Sequence, residues 1–321
     1  MPDVRPLTSP APLRRGRALG WLVLAATIYL LALAYLDRDK QVLARLSELT
    51  MPLCACVALT LGSYLLRYQR WSQVLRAQGY RTKWRSGMTA YLAGFAFTAS
   101  PGKAGELLRI RYFSGLGVPA RTTLTTFLYE RTLDLLVITL LAVGAAKLTP
   151  IFGALLAVVL SLVAALCLLA RWPWLQQCTS NLIGRLPGAR TRHLGGLLLA
   201  AATALDPLLR PGITVSSTLY GALAWLLASA AFALLCQAAG ITLPWHYALA
   251  IYPLAMLIGA LSFVPGGVGT TEAAIVLMLK SAGADLDAAL AVAIGIRLTS
   301  LWLAVLLGML ASASLEVRPP T

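Results

Sequence analysis

The sequence predicts an all-α polytopic membrane protein, with about six transmembrane helices and two re-entrant broken helices arranged as an inverted repeat. The chain of 321 residues is 59% hydrophobic and only 12% charged, and its mean hydropathy of +0.76 lies above the range of soluble domains. Six apolar runs are long enough to cross a hydrocarbon core of about 30 Å. Two further apolar runs are interrupted by proline and glycine, and the two interruptions resemble each other.

The six predicted crossings follow from the lengths of the apolar runs. They occupy residues 18–36, 50–66, 122–146, 150–170, 213–239 and 286–312. The first follows a basic, proline-rich arm, 1–17, whose composition is typical of disordered segments. We interpret 18–36 as an uncleaved helix, because its apolar run is long for a signal peptide. Residues 18–312 then form one transmembrane domain, followed by a C-terminal tail, 313–321.

The two interrupted runs cover residues 87–116 and 246–281. Each is divided into pieces of about 13 to 18 residues, which are too short to span a bilayer alone. An irregular turn inside hydrocarbon leaves backbone groups unpaired, which is tolerated only where protein or a water-filled cavity surrounds them. We therefore predict two re-entrant hairpins whose turns lie in a buried site.

The cysteines and histidines do not indicate a metal site. The five cysteines occur in or beside apolar segments, and His193 and His246 are far apart in the sequence. We expect reduced thiols, no bound metal and no cofactor. The cysteines are Cys54, Cys56, Cys167, Cys178 and Cys236.

The distribution of basic residues predicts the orientation in the membrane. The net charge is +15, and 20 of the 27 lysines and arginines fall on one side of the predicted crossings, against five on the other. By the positive-inside rule both termini are cytoplasmic. The basic loops then face anionic lipid headgroups, so the charge does not require a nucleic-acid partner.

A repeated motif marks the two breaks. The segment PGKAGE, which ends at Glu106, aligns with PGGVGTTE, which ends at Glu272, with two residues inserted. From these glutamates onward a constant offset of 166 residues pairs Gly117 with Gly283. Similarity that continues in register over the length of a helix is much stronger evidence than either short motif alone.

The connection between the two copies predicts their relative direction. Repeat 1 covers about 50–146, repeat 2 about 213–312, and the connector, 147–212, contains one predicted crossing. An odd number of crossings inverts the second copy, so the hairpins enter from opposite faces. A crossing at 192–210 would make the repeats parallel, but Asp206, Pro207 and its short length favour an interfacial helix.

The glycines of the two motifs are candidate binding residues. Glycine permits unusual backbone angles and a close approach of ligand to backbone, and the helix that follows presents free N–H groups and a positive dipole end. Such an end attracts carboxylate or phosphate. The glycines are Gly102 and Gly105 in the first motif, and Gly266, Gly267 and Gly269 in the second.

Each motif also pairs a glutamate with a later arginine. Glu106 precedes Arg131, and Glu272 precedes Arg297, by 25 residues in both cases. In one interpretation the carboxylate offsets the helix dipole and holds the arginine as a structural ion pair. In the other, the arginines bind a ligand phosphate, since charges inside a membrane commonly line substrate paths.

Four more charged residues have no counterpart in the second repeat. Glu130 and Asp134 are four residues apart on one helical face, and form either a neutralised cluster with the adjacent arginine or a proton or cation relay. Arg109 and Arg111 either bind a headgroup from the cytoplasmic leaflet or extend along the lipid to its surface.

Motifs typical of enzymes are weak in this chain. The Gly-Lys pair of the first motif lacks the upstream glycine of a phosphate-binding loop. Two acidic pairs on the predicted outer side, Asp37 with Asp39 and Asp285 with Asp287, are similar to those of membrane glycosyltransferases. Their loops are short for a sugar site, and Asp285 is placed to cap the last helix.

The segments PGKAGELLRIR, YERTLD and SFVPGGVGTTEAA resemble the lysylphosphatidylglycerol synthase transmembrane-region family over about residues 50–312. The resemblance implies a flippase-like membrane domain. In relatives that flip aminoacylated phosphatidylglycerol, such a domain is fused to a soluble domain that attaches the amino acid. We expect this chain to lack that domain and not to aminoacylate lipid.

The residues and the resemblance together predict a lipid flippase or transporter in a bacterial cytoplasmic membrane, without enzymatic activity. Its substrate is a phospholipid or a polyprenyl-phosphate lipid, and its protein partners are a second copy or a lipid-synthesis enzyme. The alternatives are a membrane transferase acting on a lipid-linked sugar and a scaffold for a lipid enzyme.

Overall fold

The computed structural model describes residues 42–99, 106–262 and 264–317, together with the isolated positions Val23 and Thr27. The arm 1–17, most of the predicted first helix 18–36, and the candidate residues Gly102 and Gly105 lie outside this part of the chain. Across the described residues the secondary structure is helical, with no strand. The predicted all-α membrane fold class is confirmed.

Thirteen α-helices are described, joined by short 3₁₀ turns and by one π-helical segment, Leu298–Trp302. They are α1 Val42–Glu48, α2 Thr50–Ala77, α3 Trp84–Ala93, α4 Arg109–Ser114, α5 Ala120–Ala142, α6 Phe152–Arg171, α7 Pro173–Gly184, α8 Ala189–Thr203, α9 Pro211–Ala238, α10 Trp245–Leu261, α11 Thr270–Ser281, α12 Leu286–Arg297 and α13 Leu303–Val317.

Four helical segments are long and apolar enough to cross a membrane: α2, α6, α9 and the continuous segment Leu286–Glu316. The last joins α12, the π segment and most of α13. Helix α5 has 23 residues, or about 35 Å at 1.5 Å per residue, which also suffices in length. Its centre carries Glu130, Arg131 and Asp134, so its membrane position depends on partners for these charges.

Both interrupted runs form a helix, a break and a second helix. The first run contains α3, the 3₁₀ turn Gly94–Phe97 and α4, and the second contains α10, the 3₁₀ turn Pro265–Gly267 and α11. In the second break Gly266, Gly267 and Gly269 have φ angles of 62°, 64° and 85°. These left-handed conformations explain the glycines of the motif, since a β-carbon is disfavoured there.

The helices pack so that the last helix of each predicted repeat contacts the first half-helix of the other. Helix α5 and the turn after it pack on α10, while α13 packs on α3 and its 3₁₀ turn. Glycine allows both close approaches. A β-carbon at Gly144 would lie 2.6 Å from the His246 carbonyl oxygen, and one at Gly308 would collide with the backbone nitrogen of Ala96. Helices α2 and α9 form the longest contact of the bundle.

The connector contains more helix than the sequence predicted. Helix α7 lies in a segment interpreted as a loop, and α8 covers much of the predicted interfacial helix 192–210. The 15 residues of α8 span only about 23 Å, less than a hydrocarbon core. Its last turn is attached to α5, because Arg121 and Thr125 donate hydrogen bonds to the carbonyl oxygens of Ala200 and Ala201.

The end predicted for the second crossing is wrong. Helix α2 continues to Ala77, eleven residues beyond the predicted boundary at 66, because its polar residues are buried against other helices. Arg67, Arg70 and Arg109 therefore lie inside the bundle. This lowers the cytoplasmic count of basic residues from 20 to 17, still well above five. Helix α13 likewise extends into the predicted tail, to Val317.

Candidate functional site

The candidate site is a buried cluster of charges built on α5. Glu130 and Asp134 lie one helical turn apart and are only 1% and 3% exposed. The segment before α4 adds a third carboxylate, Glu106, which is 2% exposed and accepts a hydrogen bond of 3.0 Å from Thr98. Four arginines surround these three carboxylates: Arg67 and Arg70 of α2, Arg109 of α4 and Arg131 of α5.

Arg70 joins the two carboxylates of α5. Its Nη2 lies 2.9 Å from Glu130 Oε1 and 2.8 Å from Asp134 Oδ1, and the whole residue is inaccessible to solvent. Helix α9 passes directly over the guanidinium at Gly221, where a β-carbon would collide with Arg70 Nη1. The glycine therefore makes the space that this buried charge occupies.

Arg67 lies one turn from Arg70 and also binds Asp134. Its Nη1 is 3.1 Å from Asp134 Oδ2, and its Nε donates a hydrogen bond of 3.3 Å to Ser63. The guanidinium lies 4.6 Å from the centre of the Trp225 ring, at a distance typical of a cation–π contact. Arg67 thus links α2, α5 and α9.

Arg109 is enclosed by aromatic rings. Its guanidinium lies 3.9 Å from the ring centre of Tyr91, with Trp71 and Phe95 at 5.1 and 5.0 Å. Its Nη1 is 3.4 Å from Glu130, and the residue is 1% exposed. The alternative in which Arg109 extends along the lipid is therefore wrong, because ring faces and carboxylates replace its hydration.

Arg131 is held differently from the other three arginines. Its Nη2 lies 3.6 Å from each of Glu106, Glu130 and Asp134, and none of these contacts is a well-formed hydrogen bond. Its side chain is 26% exposed, against 1% for Arg70. A loosely bound, partly exposed guanidinium is free to exchange its carboxylate partners for another anion.

Within the described part of the chain the cluster has one more guanidinium than carboxylates. Several of its N–H groups are buried and have no hydrogen-bond partner there: Arg70 Nε and Nη1, Arg109 Nη2 and Arg131 Nε. Buried donors of charged groups are costly to leave unpaired. The arrangement is suited to an anion with several acceptor oxygens.

The second break holds its arginine firmly. Arg297 is 1% exposed, its Nε lies 2.9 Å from Glu272 Oε1, and its Nη2 lies 2.5 Å from the Gly266 carbonyl oxygen. Glu272 Oε2 also accepts a hydrogen bond of 2.8 Å from the backbone N–H of Gly269. The pair therefore fastens α12 to the break and caps α11. Both predicted glutamate and arginine pairs occur, but only this one is tightly bonded.

The two breaks lie next to each other. A β-carbon on Gly266 would lie 3.1 Å from the Cα of Ala99, just before the first motif, and 3.5 Å from Leu301. The hydroxyl of Tyr64 on α2 donates a hydrogen bond of 2.9 Å to the Ser300 carbonyl oxygen in the π segment. The charge cluster and the second break thus occupy one continuous region of the bundle.

Comparison with known families agrees with this geometry. The profile of the lysylphosphatidylglycerol synthase transmembrane region matches residues 18–308, which include both breaks and the whole charge cluster. The chain belongs to this family. The match begins before the segment 50–312 on which the sequence resemblance rested. A search of curated proteins gave no significant match.

In this family member the structure assembles most of the predicted site residues. The glutamates and arginines of both repeats meet in pairs, and Glu130 and Asp134 join the first pair. Arg111 is exposed and has no place in the cluster. Sequence reasoning missed Arg67 and Arg70. Their spacing from Ser63, at four and seven residues, was the available signal, because it places all three on one face of a helix.

The remaining sequence candidates do not form a second site among the described residues. All five cysteines are free, and no three His, Cys, Asp or Glu side chains there are grouped to hold a metal ion. Asp285 occupies the N-cap position of α12, as predicted, but its side chain makes no capping hydrogen bond. Asp37 and Asp39 lie outside the described residues.

Proposed function

We propose that this protein is a transporter in the cytoplasmic membrane that moves a phosphate-containing lipid between leaflets without changing it chemically. Family membership supports a role in lipid modification or flipping. The observation that carries the more specific proposal is the surplus guanidinium charge of the cluster around α5, with its unpaired N–H groups. A phosphate carries the negative charge and the acceptor oxygens that this cluster lacks.

Arg131 is the residue that we assign to the headgroup phosphate. Its guanidinium presents a planar fork of donors that matches two phosphate oxygens. Three carboxylates at 3.6 Å compete for it, so they hold the side chain when the site is empty and help to release the headgroup. We assign Glu130 and Asp134 as counter-ions. Their role as an ion or proton relay stays a prediction.

Arg297 has a structural role in this proposal. The sequence pattern treated the two arginines alike, but Arg297 is bonded to a carboxylate and a backbone carbonyl. A ligand would have to break both contacts to reach it. The pair Glu272 and Arg297 therefore holds the second break in shape, and the glycines there shape the boundary of the site.

The inverted repeat remains part of the proposal. Its support is the reciprocal packing in which α5 contacts α10 and α13 contacts α3. Transporters built from inverted repeats bind substrate near the midplane, where their broken helices meet. The excess of 17 basic residues over five supports cytoplasmic termini and places the open end of the cluster toward the cytoplasmic leaflet.

The test is lipid transfer in liposomes containing the full chain and a labelled phospholipid or polyprenyl phosphate. We expect protein-dependent movement between leaflets, and recovery of the lipid chemically unchanged. Arg131→Gln should abolish most of the transfer, while Arg111→Gln, at an exposed arginine outside the cluster, should retain it. Transfer at the protein-free rate for every phosphate lipid would refute the proposal. A covalently altered lipid would favour the transferase.

A further inference from the structure

The contact between α2 and α9 contains polar groups that no described residue satisfies. The helices run antiparallel, and four contacts define their register. Gln73 bonds Ser216, Arg70 lies under Gly221, Arg67 stacks on Trp225, and Cys56 Sγ lies 3.2 Å from the Ala231 carbonyl oxygen. We call this contact the α2–α9 seam.

Helix α9 contributes three buried polar atoms without a hydrogen-bond partner in the described chain. They are Ser217 Oγ, Trp225 Nε1 and Ser229 Oγ, and both serines are 0% exposed. The twelve residues from Ser217 to Ser229 correspond to about 18 Å along the helix axis. Opposite them, α2 adds Gln73 Oε1 and two nitrogens of Arg70. The unpaired atoms therefore form a line, not an isolated defect.

Serines within helices usually bond the carbonyl four residues earlier. Ser216 and Ser300 do so here, at 2.8 and 2.6 Å from the carbonyl oxygens of Gly212 and Ile296. Ser217 and Ser229 do not, and their hydroxyls are buried among other side chains. A buried hydroxyl without a partner is unfavourable by about 1 to 3 kcal/mol. Ordered water is the usual partner for such groups.

We propose that a file of bound water molecules occupies the α2–α9 seam, from Gln73 and Ser217 inward to Ser229. Beyond Ser229 the seam is lined by Cys56, Ala231 and Phe232, which are fully buried and predominantly apolar. The file therefore ends inside the bundle and opens only at the end of α2 that carries Gln73.

The ligand of this site is water, and its function is to hydrate the charge cluster. The file passes Arg70, whose Nε and Nη1 lack partners, and Arg70 binds both Glu130 and Asp134. Water there satisfies the charged groups that the carboxylates leave unpaired. This inference does not rest on a lipid substrate.

Reaction with silver ions tests the proposal, because Ag⁺ reaches thiols only through water. Ser217→Cys and Ser229→Cys are placed in a variant without the five native cysteines, and the full chain is assayed in membrane vesicles. Ala231→Cys is the control, since Ala231 is 0% exposed and lies two residues past Ser229 on α9. After treatment, the thiols that remain are counted with a maleimide in denatured protein.

We expect both cysteines at the serine positions to react at least about ten-fold faster than the control. A rate at Ser229→Cys equal to that of Ala231→Cys overturns the proposal. If a cysteine variant fails to fold, hydroxyl-radical labelling of the unaltered protein decides instead. Trp225, which is 5% exposed, should then be oxidised well above Phe232, which is 0% exposed, and equal labelling of the two rings would overturn the proposal.

Discussion

The two arginines of the repeat should differ in what they stabilise. Replacing Arg131 by glutamine leaves three guanidinium groups and three carboxylates, so the cluster becomes neutral. Each carboxylate retains a partner. Glu106 keeps Thr98 and Arg109, while Glu130 and Asp134 both keep Arg70. We therefore expect the free energy of unfolding to change by about 1 kcal/mol or less, because only loose contacts of 3.6 Å are lost.

Arg297→Gln should have the opposite effect. It removes the guanidinium partner of Glu272 at 2.9 Å and the donor at 2.5 Å from the Gly266 carbonyl oxygen. Losing one member of a buried ion pair costs about 3 to 5 kcal/mol. Glu272 retains its bond from the Gly269 N–H and a side-chain exposure of 14%, which favours the lower end of that range. The double replacement Glu272→Gln with Arg297→Leu should recover most of the loss.

The assay compares unfolding of purified protein in mixed micelles, at increasing denaturing detergent, with lipid transfer normalised to folded protein. Arg131→Gln should fold nearly as well as the parent and transfer little lipid, and Arg131→Lys should also be impaired, because one ammonium cannot replace a two-pronged contact. The Glu272 and Arg297 double variant should retain transfer. Equal destabilisation by both arginine replacements, or normal transfer by Arg131→Gln, would refute the division of roles.

Three further predictions concern packing and topology. Gly221→Ala should destabilise the protein by about 1 to 3 kcal/mol in the same unfolding assay, because its β-carbon collides with a buried guanidinium, whereas Gly212→Ala, with no atom within 4 Å, should be neutral. Gly308→Ala should cost a similar amount by separating α13 from the turn after α3, and a neutral result would contradict that close approach. Cysteines replacing the exposed residues Arg85 and His246 should be labelled from opposite sides of the membrane, and labelling from one side would exclude the inverted repeat.

The sequence alone determined the membrane class and the positions of the two breaks. Long apolar runs have few alternatives to a membrane, and proline with several glycines cannot continue a helix. The 25-residue interval also predicted that Glu106 meets Arg131 and Glu272 meets Arg297, and both contacts occur. These features are local or repeated, so no knowledge of packing was required.

Only the tertiary structure decided which other charges are buried. Arg67 and Arg70 lie near the end of an apolar run, where the sequence is equally compatible with a loop at the headgroups. Their burial depends on Asp134 and Gly221, which come from helices many residues later in the chain. Tertiary contacts likewise made Arg131 loose and Arg297 tight, although the repeat gives both the same motif. A charge in a membrane is buried when distant helices supply its partners, and that supply is set by how the helices pack.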